Sequence, residues 1–115
     1  MAVATFHHGD CQTVDYAPES AMSAGDVIVV GVLTLVAHRD VAAGETAGFA
    51  VSGGWYTMTK AAGSGTEITG GAKVYYDASP AGAAAASSGN TAFGYAGPAG
   101  ASDDDVTVLV LHTCP

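Results

Sequence analysis

The sequence predicts a single small all-β domain, a sandwich or barrel of the jelly-roll or β-tulip kind, with an extended N-terminal arm. Three observations predict it. The apolar residues come in short runs that are β-branched or alternate with polar residues, as pleated strands require. Turn signals of Gly, Pro, Asn and Asp recur at roughly the 8–12-residue spacing of all-β domains. No apolar pattern with a period near 3.6 persists beyond about two helical turns. At 115 residues the chain is one domain. A chain of this length buries roughly two thirds of its unfolded surface, enough for a core without cross-links.

Residues 1–16, MAVATFHHGDCQTVDY, read as the extended arm, with TVDY alternating as a short strand; residues 17–115 form the β-domain. Pro18 and Gly25 punctuate the turn region APESAMSAGD. The stretch GDVIVVGVLTLVAHRD, from Gly25 to Asp40, comes next. It is shorter than the roughly 20 apolar residues of a membrane span, and it lacks the charged start and small-residue cleavage site of a signal peptide. Its VIVV run is β-branched, and Gly31 would cost a helix interior about 1 kcal/mol. It therefore reads as two strands, 27–30 and 32–37, bent at Gly31. Their near-continuous apolar character predicts cover on both faces.

TAGFAV (46–51) reads as the next strand, and Gly53-Gly54 turns the chain. WYTMTK (55–60) alternates, placing Trp55, Thr57 and Thr59 on one face and Tyr56, Met58 and Lys60 on the other. AAGSGTEITGGA is a glycine-rich loop with a short strand at most, and KVYYD is a strand. ASPAGAAAASSGN reads as a long small-residue loop, in which Ala83 to Ala86 could form one uncapped helical turn. TAFGYAG is a strand, PAGASDDD a polar turn, and VTVLVLHT (106–113) the strongest strand in the chain. Two stretches, LVAHRDVAAGETAGFAV and FGYAGPAGASDDDVTVLV, echo one another; the echo reads as the shared grammar of hairpins.

Three basic residues stand against eleven acidic ones, a net charge of -8. That balance argues against nucleic acid, whose phosphates need Lys and Arg, and against an anionic membrane surface. No catalytic constellation is present: there is no G-x-S-x-G elbow, and GSGTEITGGAK has its glycines and lysine in the wrong order for a phosphate loop. A dinucleotide-binding G-x-G-x-x-G is also missing. Asp103, Asp104 and Asp105 lack calcium-loop spacing and read as a solvated turn. His7, His8, Asp10 and Cys11 near one end, and His112 and Cys114 near the other, would supply zinc ligands if the ends met, but their spacing matches no zinc motif. No metal and no cofactor are expected; Cys11 and Cys114 read as free thiols, with a single long-range disulfide between them as the alternative if the terminal strands meet. His38 reads as a loop residue beside Arg39 and Asp40. Trp55, Tyr56, Tyr75, Tyr76, Phe93 and Tyr95 are the large side chains. They are expected to fill the core, leaving one or two to anchor an interface.

In order and spacing, the blocks GDVIVVG, VAAGE, GAKVYYD and GNTAFGYA, spread between Val14 and Leu111, resemble those of the small capsid cement, or decoration, proteins of tailed bacteriophages. Some members of that family carry a recombinase label, against which the missing phosphate loop and the acidic charge speak. The resemblance implies a β-rich, non-enzymatic virion protein on the outer surface of an icosahedral head, made in the host cytoplasm. There it would bridge neighbouring copies of the major capsid protein at local two-fold or three-fold positions. Self-association as a homotrimer or homodimer is expected, with no nucleic-acid or membrane partner. Phe6, His7, His8, Trp55 and Tyr56 are the expected capsid or oligomer contacts. The competing class is a secreted or surface β-domain that binds a ligand or carbohydrate; the low charge and the aromatics suit it, and the lack of a recognisable signal peptide counts against it.

Overall fold

The computed structural model describes residues 3–9, 11–78 and 81–113. The described residues form ten strands: β1 (Ala4–His8), β2 (Gln12–Tyr16), β3 (Val27–Val30), β4 (Leu33–Ala37), β5 (Ala47–Ser52), β6 (Trp55–Thr59), β7 (Lys73–Ala78), β8 (Ala81–Ala84), β9 (Thr91–Ala96) and β10 (Thr107–His112). They form a six-stranded sheet of order β1-β6-β10-β9-β7-β8 and a four-stranded sheet of order β2-β5-β4-β3. Every paired strand is antiparallel. The six-stranded sheet curls until a parallel bridge joins Lys60, just past β6, to Ala83 on β8. No helix of the described residues is long and apolar enough to cross a membrane.

The expected all-β class is what the structure shows. The expected N-terminal arm is not seen as a free segment: β1 pairs with β6, and β2 pairs with β5. The chain crosses from one sheet to the other between β1 and β2, and these two strands form an edge of each sheet. Their sequence is only weakly apolar, and tertiary pairing supplies the order that local preference does not. The alanine tract also departs from expectation. Residues 81–84 form β8, held by β7 through Tyr76 opposite Ala83 and Asp77 opposite Gly82. At Gly82 no side chain fits: a Cβ there would stand 2.7 Å from the Thr59 carbonyl oxygen.

The main core lies between the sheets. Tyr56, Met58, Val74, Phe93, Val108 and Val110 from the six-stranded sheet meet Val36 and Ala50 from the other. Strict alternation puts Tyr56, Met58 and Lys60 on one face, as the period-2 pattern of WYTMTK predicts, and that face is the buried one. Lys60 tolerates burial because its ammonium donates to the Ala61 and Asp105 carbonyls and to the Thr66 hydroxyl. A second cluster, Leu35, Ala37, Val41, Ala47 and Phe49, covers the other face of the four-stranded sheet. Met22 and Val41, on two connections joined by an antiparallel bridge, close over it. β4 is thus covered on both faces, as its apolar run predicts, whereas β3 lies at the sheet edge and is half-buried.

Gly31, with φ 64°, occupies the first central position of a two-residue turn between Val30 and Leu33. Glycine there suits a tight antiparallel hairpin, so the two strands are neighbours across a full reversal and not one bent strand. Gly94 is required for a different reason: any side chain would run into the Leu111 carbonyl of the adjacent β10.

Candidate functional site

Alternation along β10 turns Val108, Val110 and His112 inward, and alternation along β4 turns Thr34 and Val36 inward. These faces oppose each other, and the His112 Nε2 lies 2.9 Å from the Thr34 hydroxyl. This hydrogen bond joins the two sheets. The His112 ring is fully buried, stacked on Phe93 at 4.3 Å and edge-on to Tyr56 at 5.8 Å. Its Nδ1 has no hydrogen-bond partner. Burial pushes the His112 pKa down to about 4, with nearby His38 adding to the fall and Thr34 opposing it. The ring is therefore neutral at ordinary pH.

A second polar link lies beside the first. The Tyr56 hydroxyl, on β6, is 2.6 Å from the His38 Nε2 at the end of β4 and 3.6 Å from the Cys11 sulfur on the β1–β2 crossing. Phe6 caps this group, 5.0 Å from the His38 ring and 5.5 Å from the Tyr56 ring. Burial, reinforced by Cys11, drives the Tyr56 hydroxyl pKa above its usual value, and burial lowers that of His38. Cys11 and His38 both meet the phenol. That arrangement differs from a nucleophile activated directly by a base, and it ties the two sheets together. Tyr56→Phe should cost about 1 kcal/mol, since it removes one net hydrogen bond next to a half-exposed histidine that water can reach. Urea unfolding would measure this, with an unchanged slope showing that the fold persists.

The expected contact residues separate into two groups. Tyr56 is fully buried, so it supports the surface from beneath. Phe6 is 41% exposed at the rim of the inter-sheet cluster, and His7 is exposed beside it. Trp55 points to the opposite face of β6 and is half-buried. The backbone of His8 pairs with Trp55, and its side chain lies outside the described residues, as do Asp10 and Cys114. Among the described residues, no three metal-ligating side chains come together. The Asp103–Asp105 turn is held internally: the Asp103 carboxylate accepts from the Thr66 and Glu67 amides, and Asp105 accepts from the Ser102 amide.

The outer face of the six-stranded sheet carries a row that the sequence reading did not assemble. Trp55 on β6, Leu111 on β10 and Tyr95 on β9 are register neighbours, and Lys73 on β7 continues the row. Tyr95 is 45% exposed. In a regular strand Phe93 and Tyr95 would share a face, so parity alone places both in the core; a bulge in the β7–β9 pairing, where Val74 faces Gly94 but Tyr75 faces Ala92, leaves Phe93 as the extra residue and turns Tyr95 outward.

A small two-sheet β-domain, bound together by buried polar links and carrying an aromatic outer face, belongs to the class of structural and binding modules. The family described as phage cement protein matches residues 6–112, nearly the whole chain, and the protein belongs to that family. This membership marks a structural protein of the phage capsid. No match was found among curated proteins or among solved structures.

Proposed function

We propose that this protein docks on the outer surface of the phage head, bridges neighbouring copies of the major capsid protein, and so strengthens the shell. The family match over residues 6–112 carries this reading. The contact surface is the outer face of the six-stranded sheet, centred on Trp55, Leu111 and Tyr95, with the exposed His7 of strand β1 along its border; Phe6 lies round that edge, on the inter-sheet side. Aromatic side chains at such a surface supply much of the binding energy at little entropic cost. The net charge of -8 keeps the protein away from the genome and favours a basic surface on its partner. Assembly as a trimer or dimer, after synthesis in the host cytoplasm, would multiply these contacts through effective concentration.

The test is titration of undecorated heads with purified protein. Trp55→Ala with Tyr95→Ala should weaken decoration by at least tenfold, because losing central interface aromatics costs on the order of 2 kcal/mol or more. Sedimentation of the free protein gives its oligomeric state in the same experiment. Wild-type affinity in the folded double variant would move the contact surface elsewhere.

A further inference from the structure

The four-stranded sheet ends at β3, which among the described residues pairs with no strand but β4. The closing pair of the hairpin is Val30 opposite Leu33. In an antiparallel ladder the bonded pairs then alternate, so the N–H and C=O of Val27 and Val29 point away from β4. Natural sheet edges are usually guarded by bulges, charges, proline or short length. Here β1 carries a bulge between Phe6 and His8, β2 carries one at Gln12 and Thr13 together with Asp15, and β8 is drawn back against β6. β3 has regular register, four β-branched residues and no charge within the strand. Val32, at its hairpin tip, is 70% exposed.

Beside this edge a cleft of about 480 Å³ opens between the two sheets. Val3, Val27 and Met22 contribute apolar lining; Tyr76, Glu19 and Asp26 contribute polar groups. No basic side chain lines it. Asp26 and Asp77 both lie close enough to Tyr76 to raise its pKa further after burial has done so. The three basic residues are engaged elsewhere: Arg39 with Glu45, Lys60 in its buried site, and Lys73 over the Tyr75 ring.

We propose that the open edge of β3 and the acidic cleft beside it form a second docking site, which takes an extended, lysine- or arginine-bearing segment of the capsid protein as a fifth strand of the sheet. Backbone pairing to Val27 and Val29 supplies register, and a cationic side chain enters the cleft against Glu19, Asp26 and the Tyr76 ring. A second copy of this chain fits less well. It would bring the same negative charge to the same edge, and pairing four residues buries far less than the roughly 1,200 Å² of a stable dimer. A segment presented repeatedly by a shell needs less area, because its effective concentration is high. The proposal rests on the capsid-docking reading, and it gives a bridging protein two different surfaces, one for each neighbour.

Undecorated heads are titrated with wild type, Glu19→Lys and Val29→Pro, each first checked for sheet content by circular dichroism. Glu19 is exposed, so its variant tests the charge without disturbing the core; proline at 29 removes an outward N–H. Each folded variant should bind at least tenfold more weakly, and the Glu19→Lys deficit should shrink at high salt. Amide exchange over residues 26–30 should slow when heads bind. Wild-type binding by Glu19→Lys together with unchanged exchange at these amides overturns the proposal while leaving capsid docking intact. A variant that alters self-association but not head binding overturns it in favour of a second copy. Failure of the wild type itself to bind heads overturns both readings together.

Discussion

Phe93→Ala is expected to destabilise the protein by about 3–5 kcal/mol, the range for removing a buried phenylalanine ring. Phe93 is fully buried, stacked on His112 and edge-on to Tyr56 at 6.2 Å. It therefore supports both polar links between the sheets as well as the apolar core. A domain of this size has a total stability of only about 5–15 kcal/mol. At roughly 4–8 °C per kcal/mol, the melting temperature should fall by roughly 12 °C or more. Tyr95→Ala, two residues along the same strand, is the control. Its ring is largely outside, so that change should cost under about 1 kcal/mol. Equal losses at the two positions would mean that the faces of β9 are assigned wrongly.

That contrast shows what the sequence made legible. Strands with strong local signals, the VIVV run, WYTMTK and VTVLVLHT, were readable because β-branching and alternation act within the strand itself. For WYTMTK the division into two faces was readable, though not which of them is buried. β2 was readable in part, as the alternating TVDY, but β1, β8 and all the pairings were not, because their order comes from partners far along the chain: Ala4 opposite Met58, Thr13 opposite Ala50, Lys60 beside Ala83. An alanine-and-glycine segment has no strand preference of its own, and the one position whose size the fold dictates, Gly82, is set by the close approach of Thr59. The same limit applies to the site. Thr34 and His112 are 78 residues apart, and nothing local to either reveals the other. The parity of Val108, Val110 and His112 does point the histidine inward, but a terminal HTC reads equally as an exposed tail.

The buried histidine carries a pH dependence whose sign follows from its neutrality. In the unfolded chain His112 has the ordinary pKa near 6.5; in the fold burial lowers it to about 4. Between those values the unfolded state binds a proton that the folded state refuses, so stability falls as pH falls. The contribution is fully present above about pH 6.5 and is lost progressively on the way to pH 4. At 1.36 kcal/mol per pKa unit, the loss approaches about 3 kcal/mol. His38, its pKa also lowered by burial, acts in the same direction and remains in the control protein. That control is the double variant Thr34→Val with His112→Phe, in which apolar groups replace both hydrogen-bond partners and leave neither one stranded. Urea unfolding of both proteins from pH 8 to pH 4 should give curves that diverge below pH 6.5, with the wild type losing up to about 3 kcal/mol more. Carboxylate protonation affects both proteins alike and cancels in the difference. Parallel curves would show that the His112 ring takes up its proton in the fold as readily as in water, which is incompatible with a ring sealed between Phe93, Tyr56 and Thr34.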